Sequence, residues 1–123
     1  MLVSNVEVGA QLVDLATNLD SSLLSNATFI GKASGNSMEG VGIYTGDLLI
    51  IDRAAKVRHG DVIVAVLNGL FVCKIADLKN NQLLSANPDH PPVKLTQHDE
   101  YNIEGIVCQS IRMHRMSNLL NSV

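Results

Sequence analysis

Tryptophan is absent from the 123 residues, and the other aromatics amount to two phenylalanines and two tyrosines. Proteins that hold single-stranded nucleic acid stack bases on aromatic side chains and follow the phosphates with a basic groove. This chain has little of either, because nine Lys and Arg stand against twelve Asp and Glu for a formal charge of -3. Direct nucleic-acid binding is therefore not expected. The only two cysteines, Cys73 and Cys108, lie far apart in apolar, strand-like runs. Two reduced, buried thiols are the expectation, rather than a disulfide. The four histidines, His59, His90, His98 and His114, lack the paired spacing of a zinc or metalloprotease motif, so neither metal nor cofactor is expected. Long apolar runs are missing too. The longest covers only a few residues, far short of the ~20 that a membrane helix needs. The opening "MLVSNVEVGAQL" has no basic region and carries Glu7 where a secretory signal would be apolar, which points to a cytoplasmic protein without membrane contact.

What is present is a core: 46% of the residues are apolar, and the length suits one domain. Residues 1–28 mix apolar and small polar residues without a sustained period, and read as an arm with at most short helices, Asp20 capping a turn through Leu24. From residue 29 to 123 the pattern is β. "ATFIGKAS", "DLLIID", "DVIVAVL", "LFVCKIADL", "QLLSA", "PVKL" and "YNIEGIVCQSIRMH" are short and bounded by Gly, Asn, Asp or Pro. The expected fold is mainly β, antiparallel and rich in hairpins. Asn68-Gly69 predicts a two-residue hairpin turn, since both positions need positive φ. Ideal closure places Leu67 opposite Leu70, Ala65 opposite Val72, and Ile63 opposite Lys74.

Two residues stand out. Ser37 sits in "ASGNSMEGVG", where Gly35, Gly40 and Gly42 free the backbone to turn, and Lys74 interrupts an apolar strand between Val72 and Ala76. Ser37 alone reads as a turn residue or a nucleophile. Lys74 alone reads as an edge-strand lysine, a diagonal partner of Asp61, or a buried or snorkelling amine; a neutral amine can act as a general base. Met38 reads as a packing anchor for the loop. Gly46-Asp47 and Gly60-Asp61 read as turns at strand starts.

Taken in order, "KASGNSMEGVGIYTGDLLIIDR", "HGDVIVAV", "GLFVCKIADL", "LLSANPDHPPVKL" and "IEGIVCQSIR" resemble the catalytic domain of the LexA and UmuD family of self-cleaving SOS-response proteins, and more closely its UmuD branch. The 37-residue step from Ser37 to Lys74 matches the family's serine-to-lysine spacing. The resemblance implies a LexA/signal-peptidase-like domain of twisted antiparallel sheets. It implies a serine peptidase with a Ser37–Lys74 dyad, and an oxyanion hole made by the backbone N–H groups of Asn36 and Ser37. It further implies a homodimer that docks on a RecA–DNA filament and joins a UmuC-like lesion-bypass polymerase subunit. The strand "IEGIVCQSIRMH" is expected to offer the dimer a pairing edge or packing face, with "RMSNLLNSV" peripheral. The family cleaves itself at Cys-Gly or Ala-Gly, and neither dipeptide occurs in this sequence. The expectation is therefore a processed-like form, or a homologue that acts without self-processing, in which any activity appears in trans. The alternatives are a non-catalytic dimeric interaction module, or the C-terminal domain of a LexA-like repressor.

Overall fold

Asn68 and Gly69 adopt φ of 50° and 86°, and around them strands Val62–Leu67 and Leu70–Asp77 pair as Leu67↔Leu70, Ala65↔Val72 and Ile63↔Lys74. The predicted turn and register are both present. In the computed structural model, which describes residues 1–5 and 28–114, this hairpin belongs to one antiparallel sheet of eight strands. In chain order these are β1 (Leu2–Asn5), β2 (Thr28–Ser34), β3 (Leu48–Asp52), β4 (Val62–Leu67), β5 (Leu70–Asp77), β6 (Gln82–Leu84), β7 (Val93–Lys94) and β8 (Tyr101–Ile111). A single 3-10 turn, Glu39–Val41, interrupts the connection from β2 to β3. Seven of the eight strands coincide with the apolar runs read from the sequence. β1 does not: it lies inside the stretch read as an arm, whose residues 6–27 fall outside the described ones, as does the tail from 115 onward.

The strand order is β1-β2-β3-β8-β4-β5-β6-β7, and β1 also pairs with β5. Strands β1, β2, β3, β8, β4 and β5 therefore form a closed ring, with β6 and β7 extending from β5. Closure is thin: the register joins Leu2 to Val72, and Cys73 N–H donates to Met1 O at 2.8 Å. On its other side β1 pairs fully with β2, from Leu2↔Ser34 to Asn5↔Gly31. Gly31 makes this possible, because a Cβ there would collide with Val3 Cγ1.

Alternation along the strands sorts the apolar side chains into two clusters. Met1, Val3, Phe29, Ala33, Met38, Leu49, Ile51, Val64 and Cys73 pack in one. Ile63, Ala65, Val72, Ala76 and Leu83 pack in the other, against Leu95, Tyr101 and Ile103. The β4–β5 hairpin is thus covered on both faces, which explains why "VIVAV" shows no polar alternation. Each Ile or Leu taken fully from water contributes roughly 1.5–3 kcal/mol.

β8 runs through the middle of the sheet, its first half on β4 and its second half on β3, with bulges in both pairings. Cys108 on its second half is free but exposed, so the expected burial holds for Cys73 and not for Cys108. Its apolar surroundings in sequence reflect strand composition rather than depth, and its Sγ donates to Ile50 O at 3.2 Å. The two Gly-Asp pairs do form turns at strand starts, where Asp47 N–H donates to Tyr44 O and Asp61 N–H to Arg58 O. Asp47 is buried and takes a two-pronged bond from Arg112, at 2.9 Å on each carboxylate oxygen. Asp61 accepts from the Arg58 N–H, so its carboxylate serves its own turn. Asp77, at the end of β5, accepts from the Asn80 side chain and backbone and from Gln82. Those donors, with His59 beside them, hold its pKa down at about 2 and tie the turn into β6.

Gly105 marks a close crossing of β8 and β3. A Cβ at that position would lie 2.7 Å from Asp52 O, a backbone atom with no freedom to retreat. Gly105→Ala is expected to destabilise the fold by about 1–3 kcal/mol through overpacking. Equilibrium urea unfolding measures this, and an unchanged midpoint would show that β3 and β8 are not held so closely.

Candidate active site

β2 ends at Ser34, and Gly35 turns the chain with φ 114°, a conformation that side chains avoid. Thr45 Oγ1 braces this point, accepting from Gly35 N–H at 2.8 Å and donating to Gly35 O at 2.9 Å. Beyond Ser37 the chain drops Met38 into the core with no exposed surface, then makes the 3-10 turn, closed by Gly42 at φ 83°. Met38 is the anchor expected of it. Ser37 is held between brace and anchor, itself buried at 1% exposure.

Ser37 Oγ accepts a hydrogen bond from the Met1 α-amine at 2.6 Å. Lys74 lies close enough to that amine to lower its pKa. The structure therefore brings Ser37 and Lys74 to one point, 37 residues apart in sequence, with the end of β1 between them. Lys74 is half-buried on β5, opposite Ile63. It occupies a gap in the strand's edge: β1 pairs at Val72, β6 pairs from Ile75 onward, and Lys74 falls between the two. Its Nζ donates to Ser85 Oγ at 2.7 Å, a partner that the sequence reading did not single out.

Among the described residues, the N–H groups of Asn36, Ser37 and Met38 find no acceptor, although Gly35 before them and Glu39 after them do. Asn36 is an exposed residue, whereas Ser37 and Met38 are buried, where an N–H without an acceptor is rare. The N–H groups of Asn36 and Ser37 are the expected oxyanion donors. The Asn36 side chain is fixed by a 2.7 Å contact with His90 Nε2, and its carbonyl accepts from Asn87 Nδ2 at 3.0 Å. Among the described residues no group of His, Cys, Asp and Glu is arranged to hold a metal, and no helix is long and apolar enough to cross a membrane. A cavity of about 500 Å³ opens elsewhere, lined by Ser4, Lys32, Thr45, Asp47 and Arg112. Ser37 and Lys74 do not line it.

Burial, and then the neighbouring Lys74, lower the Met1 α-amine from 8.0 to about 6. The Cys73 thiol, next to Lys74 and buried, is pushed up to about 12 and so stays protonated and unreactive at neutral pH.

The family model described as Peptidase S24-like matches this chain over residues 3–108. The chain belongs to that family. It is 37% identical to the protein ImpA of Salmonella typhimurium over 89 residues, covering 72% of this chain and 61% of that protein. It is 34% identical to the LexA repressor of Bordetella pertussis over 119 residues, covering 90% and 55% respectively. The LexA repressor of Syntrophotalea carbinolica is 34% identical over 93 residues, covering 74% and 46%. The chain thus spans less than two thirds of the length of these curated relatives.

The Met1 amine offers a direct check of the site. In the 123-residue chain the folded state gives up this proton near pH 6 and the unfolded state near pH 8, so the unfolded state binds more protons in between. The contribution to stability therefore rises with pH across that window. Nitrogen NMR of the Met1 amine is expected to show a midpoint near 6. A midpoint near 8 would put the amine in solvent, away from Ser37.

Proposed function

We propose that this domain is a serine-lysine peptidase of the self-cleaving type, and that β1 lies in its substrate groove on the leaving-group side of the bond. One observation carries the reading: the strand paired into the barrel starts with its nitrogen 2.6 Å from Ser37 Oγ and near enough to Lys74 for the lysine to lower its pKa. The carbon of an acyl group on that nitrogen, ~1.33 Å along the C–N bond, can fall within the ~3–3.5 Å approach of a near-attack arrangement. Ser37 Oγ attacks that carbon while the free amine of Lys74 takes its proton. The N–H groups of Asn36 and Ser37 donate to the oxyanion. Collapse breaks the C–N bond, and Lys74 returns the proton to the departing nitrogen, the atom that the Met1 amine represents. Water then hydrolyses the Ser37 ester by the same proton route.

Family membership and the similarity to ImpA and LexA repressors support a place in the SOS response. Within it we assign the domain to a dimer that responds to RecA–DNA filaments and serves a UmuC-like lesion-bypass polymerase in the cytoplasm. A second reading rests on the same groove. With β1 already seated, the domain acts as a dimeric interaction module after processing, either alone or as the C-terminal part of a LexA-like repressor. Cleavage in trans, expected from the sequence, requires β1 to leave first.

A short alanine extension placed ahead of Met1 tests the chemistry. At mildly alkaline pH the extension is expected to be released, with mass spectrometry locating the new terminus at Met1. Ser37→Ala and Lys74→Ala should each slow release by about 10³-fold or more, and the double variant hardly further, because the pair acts as a unit. A folded extended chain that keeps its bond, or a Ser37→Ala variant that cleaves as fast as its parent, would leave the interaction module standing.

A further inference from the structure

We infer that Ser85 is the positioning residue for Lys74, and that the Ser85–Ala86 dipeptide sets the base and the nucleophile against each other. The inference rests on the serine-lysine reading and assigns that site a third side chain.

Lys74 has four carbons of flexible stem, so its strand position alone does not fix where its nitrogen points. Ser85 Oγ accepts one Nζ–H at 2.7 Å from a half-buried position just past β6. That bond fixes one direction of the nitrogen, and the Met1 amine lies near the same side chain. The next residue holds the nucleophile. Ala86 N–H donates to Ser37 O at 2.7 Å, and Gly40 N–H donates back to Ala86 O at 2.7 Å. The approach is so close that a Cβ on Gly40 would collide with Ala86 O. Asn87 and His90 continue the same seam onto Asn36. One short segment thus touches Lys74, Ser37 and Asn36, and its only side chain on the base is the Ser85 hydroxyl.

The chain's supply of substitutes is poor. Val72, the residue before Lys74 on the same face of β5, has no polar atom to offer, and Ala76, the residue after it, has none either. Ser85 is therefore the side chain that must aim the amine.

Ser85→Thr and Ser85→Val are nearly equal in shape and differ in the hydroxyl. In the alanine-extended chain, the Thr variant is expected to release the extension at close to the parental rate. The Val variant should do so about 10- to 100-fold more slowly, the scale of loss from misplacing a reacting group. Removing an oxygen that accepts from the amine favours its neutral form, so the pH midpoint of the rate should also move toward acid in the Val variant. In the chain without extension, the Lys74 side-chain nitrogen signal in NMR should show the same movement for Val and none for Thr. Val and Thr variants with equal rates and equal midpoints would overturn the role of Ser85 while Lys74-dependent cleavage by the parent leaves the peptidase reading intact. Absence of cleavage in the parent, or cleavage indifferent to Lys74→Ala, would overturn both.

Discussion

Four residues, Leu2–Asn5, close the barrel. β1 fills the space between β2 and β5, and its pairing with β5 is reduced to one register point and the bond from Cys73 N–H to Met1 O. That short contact has two effects at once. It completes the ring of hydrogen bonds, and it leaves the rest of β5's edge for β6, so that Lys74 emerges where one neighbour stops and the next begins. The position of the lysine follows from how two strands divide a single edge. Val3 and Met1 then seal the arrangement by packing with Ala33, Met38 and Cys73.

The β-pattern was legible from Phe29 onward because each run is apolar, short and bounded by turn formers. The hairpin around Asn68-Gly69 was legible to the residue, since a two-residue turn that demands positive φ leaves one register. β1 was not. "LVSN" has four residues, half of them polar, and its stability comes from partners at Val72 and residues 31–34 that local pattern does not report. With β1 unread, the closure of the strands into a ring was not anticipated. The depth of Cys108 was illegible because it follows the apolar pair Ile106–Val107, yet β8 is covered only in part, whereas both faces of β4 are covered.

The convergence of Ser37 and Lys74 could be read only by combining them, since the loop serine and the strand lysine each have an ordinary explanation alone. Ser85 escaped because a serine after a three-residue strand carries no spacing signal. What identifies it is a 2.7 Å contact across two strands and the backbone seam from Ala86 to Ser37. The glycines that the sequence offered as simple turn formers divide in the structure. Gly35 and Gly42 supply positive φ, whereas Gly40 supplies room for another segment's carbonyl.

The order of strands has a bearing on biosynthesis. Of the described strands β8 is the last to leave the ribosome, and it lies between β3 and β4, which have no direct pairing with one another. Until Tyr101–Ile111 has been made, the β1–β3 and β4–β7 groups are joined by the β1–β5 seam and by the bonds of Ala86, Asn87 and His90 to the serine loop, with the apolar edges of β3 and β4 uncovered. Contacts this distant in sequence close slowly. The serine belongs to the first group and the lysine to the second, so the nascent chain carries both long before the strand that locks them together exists.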